Sequence, residues 1–269
     1  MLALYALLSH TISDFIFQSN NVVQSKAEMK LKGYISHAMT LFFTSIPLLA
    51  LIKISSYKVF AFRVILIIIL HIIVDFSKEK SQNSMRNKNY FNDGKAILFI
   101  CDQLVHIFLI ITLTNGVVIE YNEFNEWILA VIFNGNGLTS SSLKQIVVIL
   151  YISFSGAFFI PFIFDIVYKK IDNYAEVLNR LLKVGAKTEE KKFIDEVKTG
   201  KWIGILERIL ISIFLFSNQI SSIGFVIAVK SLARFKMMEN KIFSEYYLLG
   251  TLTSVLYTFV CYAVFQMLF

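Results

Sequence analysis

Histidine is scarce in this 269-residue chain, and its placement is uneven: there are four, all within the first 106 residues. Proline is scarcer still at two, and cysteine is also limited to two. Few prolines leave long helices uninterrupted. The two cysteines, Cys101 and Cys261, have no metal-ligand spacing, which argues against a zinc-ribbon or disulfide-framework protein. Charged residues make up only 17% of the chain, against 56% hydrophobic residues and 26 phenylalanines. A mean hydropathy of +0.64 with long apolar runs excludes an ordinary soluble domain and predicts a polytopic membrane protein. The N-terminus lacks a basic leader region and carries His10 and Asp14, so it reads as a first span rather than a cleaved signal.

Apolar segments fall at about 1–18, 35–54, 57–76, 96–119, 144–168, 202–217, 220–235 and 245–269. The expected fold is an all-α transmembrane bundle of seven to eight spans. Residues 202–235 form either two short spans or a re-entrant hairpin. A four-span N-terminal unit covers 1–119, an external loop 120–143, and a C-terminal membrane unit 144–269. Within the last, residues 169–201 carry Ile171, Tyr174, Leu178, Leu181 and Leu182 at helical spacing and read as an amphipathic interfacial linker.

The net charge of +7 comes from lysine and arginine collected in loops. The connections 19–34, 77–95 and 169–201 and the turn 234–241 are basic, whereas 120–143 holds Glu120, Glu123 and Glu126 with no lysine or arginine before Lys144. Placing basic loops in the cytoplasm orients the chain in a cell's inner membrane with both termini outside. No single basic face forms, so nucleic acid is not an expected partner. The expected partner is the lipid bilayer, with a lipid or other phosphate-bearing molecule as substrate. Oligomeric state is not legible.

Against this apolar background the histidines stand out. His10 pairs with Asp14, His71 with Asp75 and His106 with Asp102, each at a four-residue step, and His37 lies just inside another apolar segment. A four-residue step places both side chains on one helix face. In the charge-derived topology all seven groups lie at similar depth in the inner part of the membrane; Asp102, six residues into its span, is about 9 Å deep. Ionisable groups in hydrocarbon are costly and mark function. Imidazole with carboxylate suits a divalent transition metal: zinc, iron or manganese. His10, Asp14, His37, His71, Asp75, Asp102 and His106 are therefore candidate ligands or supports, with one of Asp14, Asp75 and Asp102 free to act as base. The segments His10-Thr-Ile-Ser-Asp14-Phe15 and His71-Ile-Ile-Val-Asp75-Phe76 also suggest two parallel copies of one helical hairpin.

A second set, Glu207, Arg208, Lys230, Arg234 and Glu245, falls towards the same face and reads as anion-binding or as internal ion pairs. The expected activity is a metal-dependent membrane hydrolase or transferase acting on a phosphate-bearing or amphipathic substrate. The alternatives are a proton or metal-ion transporter using the same pairs, and a non-enzymatic scaffold or effector subunit.

The elements Leu8-Ser-His10-x-x-x-Asp14-Phe, His37, His71-x-x-x-Asp75 and Asp102-Gln-Leu-x-His106 resemble a bacterial membrane-protein family catalogued as domain of unknown function 3307. The resemblance covers about residues 1–115. Trp202-x-Gly204-x-x-Glu207-Arg208, Lys230-x-x-x-Arg234-Phe and Glu245-Tyr are similar to the second half of longer members. It implies an inner-membrane protein with no established reaction. The residue types also resemble those of membrane-bound metal-dependent hydrolases, an analogy that carries no mechanism.

Overall fold

The computed structural model describes residues 2–50, 52–54, 57–85, 91–116, 119–121, 140–169, 187–239 and 241–269. The architecture is helical: α1 (Leu2–Thr11), α2 (Asn20–Ala27), α3 (Leu31–Ala50), α4 (Tyr57–Met85), α5 (Phe91–Thr114), α6 (Ser140–Lys169), α7 (Lys187–Phe216), α8 (Ile220–Ala233) and α9 (Lys241–Leu268). A small antiparallel ribbon pairs β1 (Ile52–Ile54) with β2 (Ile119–Tyr121), with Lys53 opposite Glu120. The chain divides into two compact units, Met1–Val147 and Val148–Phe269.

In the first unit, polar groups face inward and apolar ones outward. On α4, Phe62, Ile65, Ile69, Ile73 and Phe76 form an exposed stripe, while His71 and Asp75 are buried. On α5, Ile97, Ile100, Leu104 and Phe108 are exposed, while Asp102, Gln103 and His106 are buried. A bundle in water shows the opposite pattern. Hydroxyls help to tie α1 to α3: Ser9 Oγ lies 3.0 Å from Thr44 Oγ1 and 2.8 Å from Ser45 Oγ.

Three helices among the described residues are long and apolar enough to cross a membrane: Gly94–Thr114, Ser141–Val167 and Phe243–Leu268. These are fewer than the seven to eight spans expected. The first apolar helix, Leu2–Ile16, is short, as is α8. At 14 residues α8 is about 21 Å long by the helical rise, short of the roughly 30 Å hydrocarbon core. The apolar stretches of α4 and α7 are interrupted by Arg63, Asp75 and Lys78 and by Lys201, Glu207 and Arg208.

Two connections read as loops prove helical in part. Helix α4 runs on to Met85, because Ser77–Met85 contains no proline or glycine and is rich in lysine, glutamate and glutamine, which favour helix. Helix α7 begins at Lys187 and so absorbs the end of the expected linker. The linker residues Ile171, Tyr174, Leu178, Leu181 and Leu182, and most of the 120–143 loop, lie outside the described residues. The turn Ser217-Asn218-Gln219 separates α7 from α8 through Asn218 in the left-handed region (φ 56°).

One close approach positions the site. A Cβ on Gly33 would meet Lys26 N and Ser25 Cβ at 2.8 Å, so the start of α3 lies against the backbone of α2. Met29 (φ 57°) closes the turn between them, with Lys30 N donating to Ser25 O at 2.9 Å. Gly33→Ala must push α2 away, and overpacking of this kind costs about 1–3 kcal/mol. Thermal unfolding of the detergent-solubilised variant should show a lower midpoint than the wild type; an unchanged midpoint would refute the tight contact.

A buried His/Asp/Lys layer as candidate metal centre

All four histidines and the three aspartates at four-residue steps converge in the first unit, none more than 8% exposed. Helix α4 delivers His71 and Asp75 by regular α geometry. After Thr11 the first helix widens into a π turn, Ile12–Ile16, which contains Asp14. Such turns re-aim side chains and recur at functional sites. Asp14 Oδ1 here lies 3.3 Å from His10 Nδ1, 3.5 Å from His37 Nε2 and 3.6 Å from His71 Nε2.

The central contact is between His37 Nε2 and His71 Nε2, 2.9 Å apart. Asp75 Oδ2 lies 3.4 Å from the first and 3.8 Å from the second. Beside them, the His71 and His106 rings have centroids 4.1 Å apart, and those of His10 and His106 are 5.0 Å apart. His106 Nδ1 is 3.7 Å from Asp102 Oδ1. Gln103 lies 3.4 Å from His10 Nε2 through its Oε1 and donates to Asp102 Oδ2 at 3.0 Å.

Two lysines counted in the sequence as loop charges belong to this layer. Lys26 Nζ donates to Asp75 Oδ2 at 2.6 Å, with its side chain buried. Turned so that both ends are satisfied, the Gln18 amide accepts from Lys26 Nζ at 2.6 Å and donates to Asp14 O at 3.3 Å. Lys78 Nζ lies 3.2 Å from Asp102 Oδ2 and 3.9 Å from Asp75 Oδ1. Burial opposes the charge on Lys78, but Asp102 and Asp75 hold its ammonium above the ordinary lysine range. Burial also raises the neighbouring Glu79 carboxyl, despite Lys78 and Lys26. Sequence reasoning missed Lys26, Lys78, Glu79, Gln103 and Gln18. A partial signal existed: Lys78 stands three residues after Asp75, on the same helix face.

The groups are ordered along the helices. On α4 the order is Arg63, Ile67, His71, Asp75, Lys78. The first helix runs Leu2, Ala6, His10, Asp14, and α5 reads in reverse as Thr114, Ile110, His106, Asp102. Each four-residue step is about 6 Å of rise. The unit is therefore stratified: apolar, then imidazole, then carboxylate, then lysine. In the apolar stratum lies a cavity of about 50 Å³ lined by residues including Ala6, Leu41, Ile67 and Ile110, ending on His10, His71 and His106. Arg63, near its other end, donates to the carbonyls of Leu113 and Asn115 at 3.1 and 2.7 Å.

Residues 2–132 match the family model described as Protein of unknown function (DUF3307). The N-terminal half of the chain belongs to this family. The match spans the N-terminal domain that carries all seven groups. No curated protein and no solved structure matches the chain.

The second set of expected site residues separates into different partnerships. Lys230 Nζ binds Glu207 Oε2 at 2.7 Å. Glu245 lies 4.0 Å from Lys241 on the exposed start of α9, and Arg234 caps the end of α8. Arg208 is buried, and among the described residues it makes no ion pair. Its Nε and Nη2 donate to Ser153 O at 3.0 and 2.8 Å, and Nη1 donates to Ser254 Oγ at 3.3 Å. A Cβ on Gly156 would meet Arg208 Nε at 2.7 Å, so the guanidinium fills the space the glycine leaves.

Removing one partner of a buried ion pair leaves the other charge uncompensated and costs about 3–5 kcal/mol. Lys26→Met should therefore destabilise the domain by that order in denaturant unfolding. Adding Asp75→Asn should recover a large part of the loss. Equal and additive losses in the two single variants would show that the 2.6 Å pair carries no coupling.

Proposed function

We propose that the DUF3307 domain of this chain holds a divalent metal ion and is a metal-dependent membrane hydrolase or transferase. Its substrate is amphipathic or phosphate-bearing. The observation that carries this reading is the triangle of His37 Nε2, His71 Nε2 and Asp75 Oδ2, with edges of 2.9, 3.4 and 3.8 Å. Ligands held about 2.0–2.1 Å from a tetrahedral metal stand about 3.3 Å apart. Around the triangle, His10 Nδ1, Asp14 Oδ1, Asp102 Oδ1 and both ring nitrogens of His106 are buried without a hydrogen-bond partner, as further ligand atoms would be. Three protein ligands leave a position open for water or substrate, the pattern of a catalytic rather than a structural site.

A bound divalent ion would supply a Lewis acid and a water of lowered pKa. The chain supplies the rest. Lys26 and Gln103 fix the orientation of Asp75 and Asp102 from outside the donor triangle. The His10–Asp14 pair, outside that triangle, would take the proton from water and return it to the leaving oxygen. Lys78 adds a positive charge beside Asp102, suited to a phosphoryl group. The same reading places the chain in a cell's inner membrane by seven to eight spans.

Purified protein in detergent should carry at least one equivalent of zinc, iron or manganese per chain by elemental analysis. His71→Ala and His37→Ala should each reduce it by tenfold or more with helix content unchanged by circular dichroism. A wild-type protein without metal after supplementation with each ion would end this reading. Metal retained in both variants would do the same.

A further inference from the structure

The donor triangle described above has a neighbour that shares one of its corners. Asp75, Asp102 and His106 also bring one ligand atom each to within 4.8 Å of one another. Asp75 thus belongs to two triangles. Its Oδ2 faces His37 and His71, while its Oδ1 is buried and accepts no hydrogen bond. Asp102 repeats the arrangement: Oδ2 is held by Lys78 and Gln103, and Oδ1 is left open. Each triangle has a lysine bound to one of its carboxylates: Lys26 in the first and Lys78 in the second. A carboxylate shared by two donor sets, with one oxygen on the first and the other without a hydrogen bond, is what a bridging ligand requires.

We propose that the domain binds two divalent ions at once, bridged by Asp75, and that its substrate is a phosphate ester. The first site is His37, His71 and Asp75; the second is Asp75, Asp102 and His106. This rests on the metal-centre reading above. The substrate class follows from charge. Two divalent ions with Lys26 and Lys78 place six positive charges in a buried layer. Asp14, Asp75 and Asp102 offset three, and Glu79 at most a fourth. Two or more positive charges are left in an apolar interior, where an uncompensated charge is costly. A phosphate ester, which brings up to two negative charges and several oxygens, matches that excess. A neutral carboxylic ester or amide does not. Paired metals that clamp attacking and leaving oxygens are also suited to phosphoryl chemistry.

The test uses the full chain in detergent, stripped with chelator and titrated with Mn²⁺ alone. Expected is saturation at two Mn²⁺ per chain with an exchange-coupled electron paramagnetic resonance signal. His106→Ala should hold one uncoupled ion, retained at the His37/His71 site, and Asp75→Asn should lose the coupling. Inorganic phosphate should tighten Mn²⁺ binding at least fivefold and alter the coupled signal; acetate should not. Saturation of the wild type at one uncoupled ion overturns the two-ion proposal and leaves the single-metal reading standing. Binding of no metal ends both. Two coupled ions indifferent to phosphate overturn the substrate class.

Discussion

An ionised carboxylate cannot sit alone in an apolar interior. Taking it out of water costs several kcal/mol even after the surroundings relax, and only cations or several hydrogen bonds offset that. The N-terminal domain buries three aspartates in one layer, and much of its local construction answers this demand. Lys26 on α2 reaches Asp75, and Lys78 extends from the last turns of α4 to Asp102. Gly33 lets α3 lie close enough to bring Lys26 in. Each cation binds one oxygen of its carboxylate, Oδ2, and leaves Oδ1 without a hydrogen bond. The compensation is therefore partial, which distinguishes this layer from a set of closed ion pairs. The C-terminal unit differs: the buried Arg208 is met by a backbone carbonyl and a hydroxyl, and the Lys230–Glu207 pair is closed.

Much of this was legible in the sequence, for a definite reason. The helical repeat makes a four-residue step a statement about space. His10/Asp14, His71/Asp75 and Asp102/His106 announced themselves as three same-face pairs, and apolar surroundings made them conspicuous. Their convergence, together with His37, is what the folded domain contains. The lysines were not legible, because loop lysines are ordinarily read for orientation, and a residue at the end of a helix looks solvated until a neighbour's carboxylate is placed beside it. Lys78 shows the difficulty: the helix continues past its expected end at 76, and Lys78 turns inward rather than out.

The fold was legible in kind rather than in number. Hydropathy alone marked the helices, but it treated each apolar run as a span. The ionisable residues that make α4 interesting are the same ones that depress its apolar character, so the helix that carries His71 and Asp75 is one whose apolar run is broken. The π turn at Ile12–Ile16 was invisible for another reason. His10-x-x-x-Asp14 and His71-x-x-x-Asp75 are alike as strings, yet one is wound more widely than the other. If the two hairpins descend from one, they have ceased to be interchangeable.

The stratification along α4 has a consequence for what can enter. From Ile67 to Lys78 is eleven residues, about 16 Å of helix, and over that distance the lining passes from oily to basic to acidic to cationic. The domain is in effect a ruler graded in polarity. A molecule in register with it must change character along its own length in the same order. A free inorganic anion would meet only one end, and a bare hydrocarbon only the other.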